Sequence, residues 1–205
     1  MEIWPAVHTE RKALAGDLRG LSDEDWAKPS LCGGWTVRDV LAHMTSAAKS
    51  SPPAFFGKLI GSGFSFDKVQ EQGVAAQRGT TPADTLANFE SVLTSVKHPP
   101  GPNQTWLGEV IVHSEDIRRA LGIQHQYPTD AVVTVADFYQ GSNLLIGSKR
   151  RISGLMLSAT DTEWSHGTGP EVSGPILSLV MAMTGRKAAA DDLTGEGVTT
   201  LRSRS

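Results

Sequence analysis

Helix start signals recur along this 205-residue chain and constrain its fold more than any other feature. Ser22 and Thr36 each precede an aspartate three residues on, and Thr81 precedes Pro82, a residue favoured at the first helical position. Apolar residues at helical spacing accompany these signals. The pattern predicts four long helices at 3–21, 37–49, 81–98 and 104–121, and a further helix at 130–145. Because the connections are short, we expect an antiparallel four-helix bundle.

The pattern changes near residue 149. The stretch "RRISGLMLSATDTEW" alternates like a strand, "EVSG" is short and β-capable, and "GPILSLVMAMTGR" has the character of an apolar helix. We therefore predict a mainly α protein with a small α+β tail. Its domains would be a helical bundle over residues 1–147 and a C-terminal α/β unit over 148–205 that packs on the bundle.

Composition narrows the class of function. The chain has 39% hydrophobic residues and a net charge of −3, which gives no electrostatic footprint for nucleic acid. No apolar run approaches the ~20 residues that span a bilayer, and the N-terminus lacks a secretory signal. We expect a cytoplasmic protein without nucleic-acid or membrane partners. Because Cys32 is the only cysteine, any metal would be held mainly by His, Asp and Glu.

The stretch "WLGEVIVHSEDIRRALG" places two metal-competent residues one helical turn apart. At about 100° per residue, Glu109 and His113 lie at the margin of an apolar stripe that includes Trp106 and Val110. Side chains four residues apart on a helix lie about 5 to 6 Å apart, so both can reach one cation. The alternative is a hydrogen-bonded Glu–His pair without metal.

A third candidate ligand lies on the earlier helix. His43 falls at the edge of the apolar stripe predicted for residues 37–49. If the two helices face each other, His43, Glu109 and His113 converge. Two histidines and one carboxylate form a common catalytic zinc site, since three protein ligands leave one position open. The same three ligands also suit iron, nickel or manganese. The alternative for His43 is a core histidine without a metal, which is the more common role of a single histidine on an apolar helix.

The sequence also suggests an environment or a role for several residues near the candidate ligands. Asp116 lies one turn beyond His113 and can orient it by a hydrogen bond or lie in solvent. Glu115 points away from the stripe and is expected to be solvated. Cys32 is expected to be a small buried apolar residue rather than a reactive thiol. Trp35 is expected to staple the start of the helix rather than stack on a ligand.

Two arginines are candidate anion ligands. Arg118 lies near the end of the 104–121 helix. Its positive charge either interacts favourably with the helix dipole or binds a carboxylate of thiol or substrate. Arg186 would lie where the C-terminal unit can cover the bundle, and an anion-binding role is the candidate there. Arg118, Arg186 and Asp116 are thus the residues that can assist catalysis. The remaining histidines are expected at the surface: His8, His98, His125 and His166.

Together these motifs resemble one known family. "PSLCGGWTVRDVLAHMTSAA" is similar to the N-terminal signature of the mycothiol-dependent maleylpyruvate isomerase family, a branch of the DinB-like superfamily of metal-binding four-helix bundles. "EVIVHSEDIRRALGI" resembles its second signature, and "LSATDTEW", "GPEVSGP" and "LTGEGV" resemble its C-terminal extension. The resemblance runs through nearly the whole chain in order.

The resemblance implies a metal site and a chemistry. The family's ligand positions fall on His43, Glu109 and His113, and the metal is usually taken to be zinc. The co-substrate would be mycothiol, a small thiol of actinobacteria, which loses its proton on the metal and reacts as a metal-bound thiolate. Isomerase members add it to a double bond and release it after rotation, whereas transferase members pass it to an electrophile.

Three functional hypotheses follow. The first is a mycothiol-dependent isomerase or S-transferase that acts on a small electrophile. The second is a non-catalytic protein that binds a small apolar molecule. The third is a buried polar network of the three ligand candidates without metal. A monomer and a homodimer are both compatible with a bundle of this kind.

Overall fold

The computed structural model describes residues 2–144 and 146–204. Contacts between elements divide the chain into two compact units, Glu2–Gln126 and Tyr127–Ser205. The mainly helical class with a small β element in the C-terminal part is confirmed. No helix of the described residues combines the length and apolar character that a membrane crossing needs.

The N-terminal unit consists of helices that pack around α3. Their bounds are α1 Ile3–Leu18, α2 Asp23–Ala27, α3 Val37–Lys49, α4 Pro52–Gly61, α5 Phe66–Arg78, α6 Pro82–Glu90 and α7 Asn103–Leu121. Helix α3 contacts α2, α5, α6 and α7, and α1 packs on α6 and α7. The two helices that carry the candidate ligands are therefore direct neighbours.

A capping box determines where α3 begins. The Thr36 side chain accepts a hydrogen bond from the Asp39 backbone at 3.2 Å, and the Asp39 carboxylate accepts one from the Thr36 backbone at 3.0 Å. These bonds satisfy two N–H groups that a helix end leaves unpaired. The apolar stripe behind the cap is fully buried, and the predicted bounds of this helix are confirmed.

Helix α7 ends as its sequence predicts, at Gly122 in the left-handed conformation with φ of 70°. The expectation of a solvated Glu115 is wrong. Its side chain is buried and pairs with Arg119 at 2.9 Å.

Three predicted helices end earlier than expected. α1 stops at Leu18, where the chain turns into Gly20 with φ of 82°. α6 ends at Glu90 rather than 98, because the chain turns over 91–94. The carbonyls of Val92 and Ser95 then accept hydrogen bonds from Arg11 instead of continuing a helix.

The helix predicted over 130–145 is also shorter. α8 spans Thr129–Tyr139 and gives way to a turn in which the Ser142 backbone donates to the Tyr139 carbonyl at 3.0 Å. Leu145, the predicted last residue, lies outside the described residues.

The C-terminal unit combines helices with a three-stranded sheet. After α8 come α9 Ser148–Arg151, β1 Met156–Ala159, β2 Ser165–Gly167, β3 Glu171–Gly174, α10 Ile176–Met183, a 3-10 helix Lys187–Asp192 and α11 Val198–Ser203. The order is β2-β1-β3, with β1 antiparallel to β2 and parallel to β3. α10 packs on α8 and the sheet, which explains its apolar composition.

The domain boundary predicted after residue 147 stays a prediction. By contacts, the chain divides between Gln126 and Tyr127, because α8 packs on α10.

The cap of α3 leads to a stability prediction. We expect Thr36→Ala to lower the free energy of unfolding by about 1 kcal/mol, because an N-cap hydroxyl is lost. Thr36→Ser keeps the hydroxyl and serves as the control. Urea unfolding monitored by circular dichroism measures both, and equal stability of the Ala and Ser variants would contradict the role of the cap.

Candidate metal centre

Helices α3 and α7 bring the three predicted ligands together. His43, Glu109 and His113 each offer one ligand atom, and these atoms all lie within 4.8 Å of one another. All three residues are half-buried. The distance is compatible with one shared cation after small side-chain adjustments, since zinc binds nitrogen and oxygen ligands at about 2.0 to 2.2 Å.

The two imidazoles meet edge to face. The ring centroids of His43 and His113 lie 5.0 Å apart, with an interplanar angle of 74°. Trp35 lies behind this pair, with its ring 4.8 Å from that of His43 and tilted by 45°. From the sequence a helix staple is expected for Trp35 rather than stacking on a ligand, because its contact with His43 depends on how the preceding loop folds.

The environment of the Glu109 carboxyl is the strongest indication that these residues fit a cation. Its Oε1 atom is buried and has no hydrogen-bond partner among the described residues. Burial raises the pKa of the Glu109 carboxyl, and His113 and Arg11 oppose that shift. Buried polar atoms are costly unless they are paired. A divalent cation would provide the missing partner.

Arg11 is a neighbour that sequence reasoning missed. It is buried on α1 and donates from Nη1 to the carbonyls of Val92 at 3.3 Å and Ser95 at 2.8 Å. Burial lowers the pKa of Arg11, and the charge of Glu109 acts in the opposite direction. No local pattern could reveal this proximity, because it depends on the packing of α1 against α7.

Asp116 orients His113. The carboxylate is fully buried, and its Oδ2 lies 3.0 Å from His113 Nδ1. An ionised carboxylate only accepts hydrogen bonds, so Nδ1 carries the proton and donates it. Nε2 is then left with the lone pair that a metal needs. The alternative of a solvated Asp116 is wrong.

Cys32 lies beside the centre, contrary to the expectation of a buried apolar residue. It is half-buried, and its sulfur lies within 4.8 Å of ligand atoms of His113 and Asp116. The Leu31 backbone donates to the Asp116 carbonyl at 3.3 Å, which brings the Cys32 loop onto α7. The sequence shows no such contact, because the loop and α7 are about eighty residues apart.

Arg118 lies in a different environment from the one predicted for an anion ligand. Its guanidinium is fully buried, and Nε and Nη2 lie 2.8 and 2.7 Å from the Asp17 carboxylate. Glu10 lies 3.9 Å from Nη1. Arg118 is thus paired with a carboxylate of the protein through Nε, and binding of thiol or substrate stays a prediction without support from these contacts.

Arg186 belongs to the C-terminal unit. It is half-buried, and its Nη1 donates to the Thr184 carbonyl at 3.2 Å. Its predicted role in binding an anion stays a prediction.

The histidines expected at the surface are all half-buried: His8, His98, His125 and His166. His125 Nε2 lies 2.8 Å from the Glu10 carboxylate, and the His98 ring lies 5.5 Å from that of Trp4 and 5.3 Å from that of Trp106. Partners elsewhere in the chain thus cover part of His98 and His125, which the local sequence does not show.

The fold and the site define a class: mainly helical proteins with two histidines and a carboxylate clustered on adjacent helices. Residues 7–100 match the family model of the mycothiol maleylpyruvate isomerase N-terminal domain. Over these residues the chain is similar to the N-terminal domain of mycothiol-dependent maleylpyruvate isomerases. The matched segment contains His43 and ends before α7.

Solved structures extend the similarity of fold to most of the chain. Two crystal structures of a mycothiol-dependent maleylpyruvate isomerase, one of them a histidine-to-alanine mutant, each give a TM-score of 0.67. The mutant is 15% identical and the other 16%, and each alignment covers 95% of this chain and 91% of the other. No curated protein matches the sequence closely enough to count as a relative.

Glu109 leads to a prediction about pH and metal. Because its pKa is raised on folding, the stability that Glu109 contributes to the metal-free protein should be present below about pH 4.5, the ordinary value for this carboxyl, and should be lost as the pH rises from there through the raised pKa of the folded state. Glu109→Gln should therefore be more stable than the wild type at pH 7 without metal, with the difference vanishing at low pH. With metal the order should reverse, because only the wild type gains binding energy.

Thermal unfolding of both proteins, with chelator and with added zinc, measures this reversal. A wild type that is more stable than Glu109→Gln at pH 7 in chelator would show that protein groups already stabilise the carboxylate.

The contact between Asp116 and His113 predicts an effect on metal affinity. We expect Asp116→Asn to weaken zinc binding about 10- to 100-fold, since the acceptor that orients His113 becomes neutral. Glu115→Gln is the matched control, because its carboxylate pairs with Arg119. Competition with a chromophoric chelator measures both affinities, and equal losses would argue against the orienting role.

Proposed function

We propose that this protein is a metal-dependent thiol enzyme, a mycothiol-dependent isomerase or S-transferase that acts on a small electrophile. The proposal rests on one observation: the ligand atoms of His43, Glu109 and His113 converge within 4.8 Å. The ion would be divalent, and zinc is the metal we propose. The protein would act as a monomer or a homodimer in the cytoplasm, where small thiols are kept reduced.

The donor set supports a catalytic rather than a structural metal. Two imidazoles and one carboxylate are three protein ligands, which leaves a position for an exchangeable ligand. The unpaired oxygen of Glu109 supports a cation at this place rather than a closed hydrogen-bond network. Such a network would provide Oε1 with a donor from the protein.

When bound, the cation supplies Lewis acidity that lowers the pKa of a thiol ligand, so that the thiol reacts as its thiolate. The residues of the chain position that chemistry. Asp116 accepts a hydrogen bond from Nδ1–H of His113 and keeps the ring in one tautomer and orientation. Glu109 contributes a negative charge in a buried environment, where electrostatic interactions are stronger than in water.

Similar proteins support the choice of thiol and reaction class. The two similar structures carry the name mycothiol-dependent maleylpyruvate isomerase. We extend the thiol dependence and the isomerase class to this chain, with S-transfer to an electrophile as the related outcome of the same nucleophile. At 15 to 16% identity the similarity concerns the fold and does not identify the electrophile, which an assay has to find.

Metal analysis tests the first part of the proposal. We expect about one zinc ion per chain in the purified protein, as for a single three-ligand site, and a nearly complete loss in His43→Ala and in His113→Ala. His166→Ala is the control, because His166 lies on β2 in the C-terminal unit. Retention of metal in both ligand variants would contradict the centre.

Thiol titration of the cobalt-substituted protein tests the second part. Mycothiol should produce a thiolate-to-cobalt charge-transfer band, and an alcohol analogue of the thiol should not. If the protein binds cobalt but shows no such band with mycothiol, it is a metal-binding module rather than a thiol enzyme. A protein that binds a small apolar molecule without metal would fail both tests.

A further inference from the structure

The C-terminal unit contains a cavity that the proposed function does not use. Its volume is about 500 Å³, and it is lined by Gly147, Arg150, Arg151, Ser153 and Arg204. Among the described residues that line the cavity, three of five are arginines and none is acidic. The volume lies within the range of pockets that bind small molecules, about 300 to 1,000 Å³.

Backbone carbonyls hold two of these guanidinium groups in place. Arg151 donates from Nη1 to the carbonyls of Met183 at 2.6 Å and Ile146 at 3.2 Å, and from Nε to that of Arg204 at 3.2 Å. Arg204 donates from Nη1 to the carbonyls of Ser153 at 2.7 Å and Arg151 at 2.9 Å. The positions of the two cations are thus determined by neutral groups.

Many donors of the three arginines remain unused. A guanidinium has five N–H donors. Within the described part of the chain, no hydrogen bond involves Nη2 of Arg151, Nε or Nη2 of Arg204, or the side chain of Arg150. Among the same residues, none of the three forms an ion pair with a carboxylate. Arg202, on the same C-terminal helix, does pair with Asp191 at 2.7 Å.

Helix capping accounts for only part of this arrangement. Arg151 and Arg204 bond to carbonyls near helix ends, where cations are favourable. Capping accounts for neither the third arginine nor the lack of a compensating acid among the lining residues that the structure describes. Burial lowers the pKa of Arg151, and the charges of Arg186 and Arg150 lower it further. An anion in the cavity would relieve this repulsion.

We propose that this cavity binds a small molecule through a tetrahedral oxyanion group with two negative charges, such as a phosphate ester. Guanidinium groups match phosphate oxygens with paired, charge-assisted hydrogen bonds. Three cations favour a dianion over a single carboxylate, and the volume leaves room for the rest of the molecule. The residues involved lie outside the candidate metal ligands, which belong to the N-terminal unit.

Isothermal titration with inorganic phosphate at constant ionic strength tests the site. We expect saturable binding to the wild type and a loss of affinity of about tenfold or more in Arg150→Gln, the typical effect of removing a charged hydrogen-bond donor. Arg150→Lys keeps the charge and should retain part of the affinity. Because the Arg150 side chain makes no hydrogen bond to the described residues, these variants should fold normally, which circular dichroism verifies.

Two control variants show whether phosphate binds at this cavity or elsewhere on the protein. Arg202→Gln removes an arginine that does not line the cavity and should bind phosphate as the wild type does. His113→Ala removes a proposed metal ligand and should also bind normally. The proposal is overturned if the wild type does not bind phosphate, if Arg150→Gln and Arg202→Gln lose affinity equally, or if only His113→Ala loses it.

Discussion

The candidate site depends on the packing of α3 against α7. α3 carries His43 and α7 carries Glu109 and His113, so neither helix alone provides a three-ligand site. The buried apolar stripe of α3 holds it among its neighbours, and the same burial places His43 at the edge that faces α7. Hydrophobic burial is thus the force that creates the ligand cluster.

The centre places a carboxyl group that is costly to bury in this packed environment. Glu109 has a buried oxygen without a hydrogen-bond partner among the described residues, and its pKa is raised by burial. Arg11 and Asp116 surround the centre with charges that are themselves buried and bonded. Functional sites commonly retain such polar groups at a cost in stability, which binding of the proper ligand then offsets.

The predictions from sequence were most accurate where the signal was local. The start of α3 follows from the capping pattern of Thr36, and the end of α7 follows from Gly122. Predictions that extrapolated a helical period beyond such signals were too long, as for α6 and α8. An apolar residue every third or fourth position does not show where the chain turns, because a turn can bury the same residues.

The sequence by itself determined which residues are competent to bind a cation. Helical spacing and family signatures selected His43, Glu109 and His113 as the candidates. Only tertiary structure decided their surroundings: Asp116 against His113, Cys32 and Trp35 beside the imidazoles. The same holds for the arginines around the cavity of the C-terminal unit. Helical periodicity specifies which face a side chain occupies, whereas the partner across that face is set by packing between segments far apart in sequence.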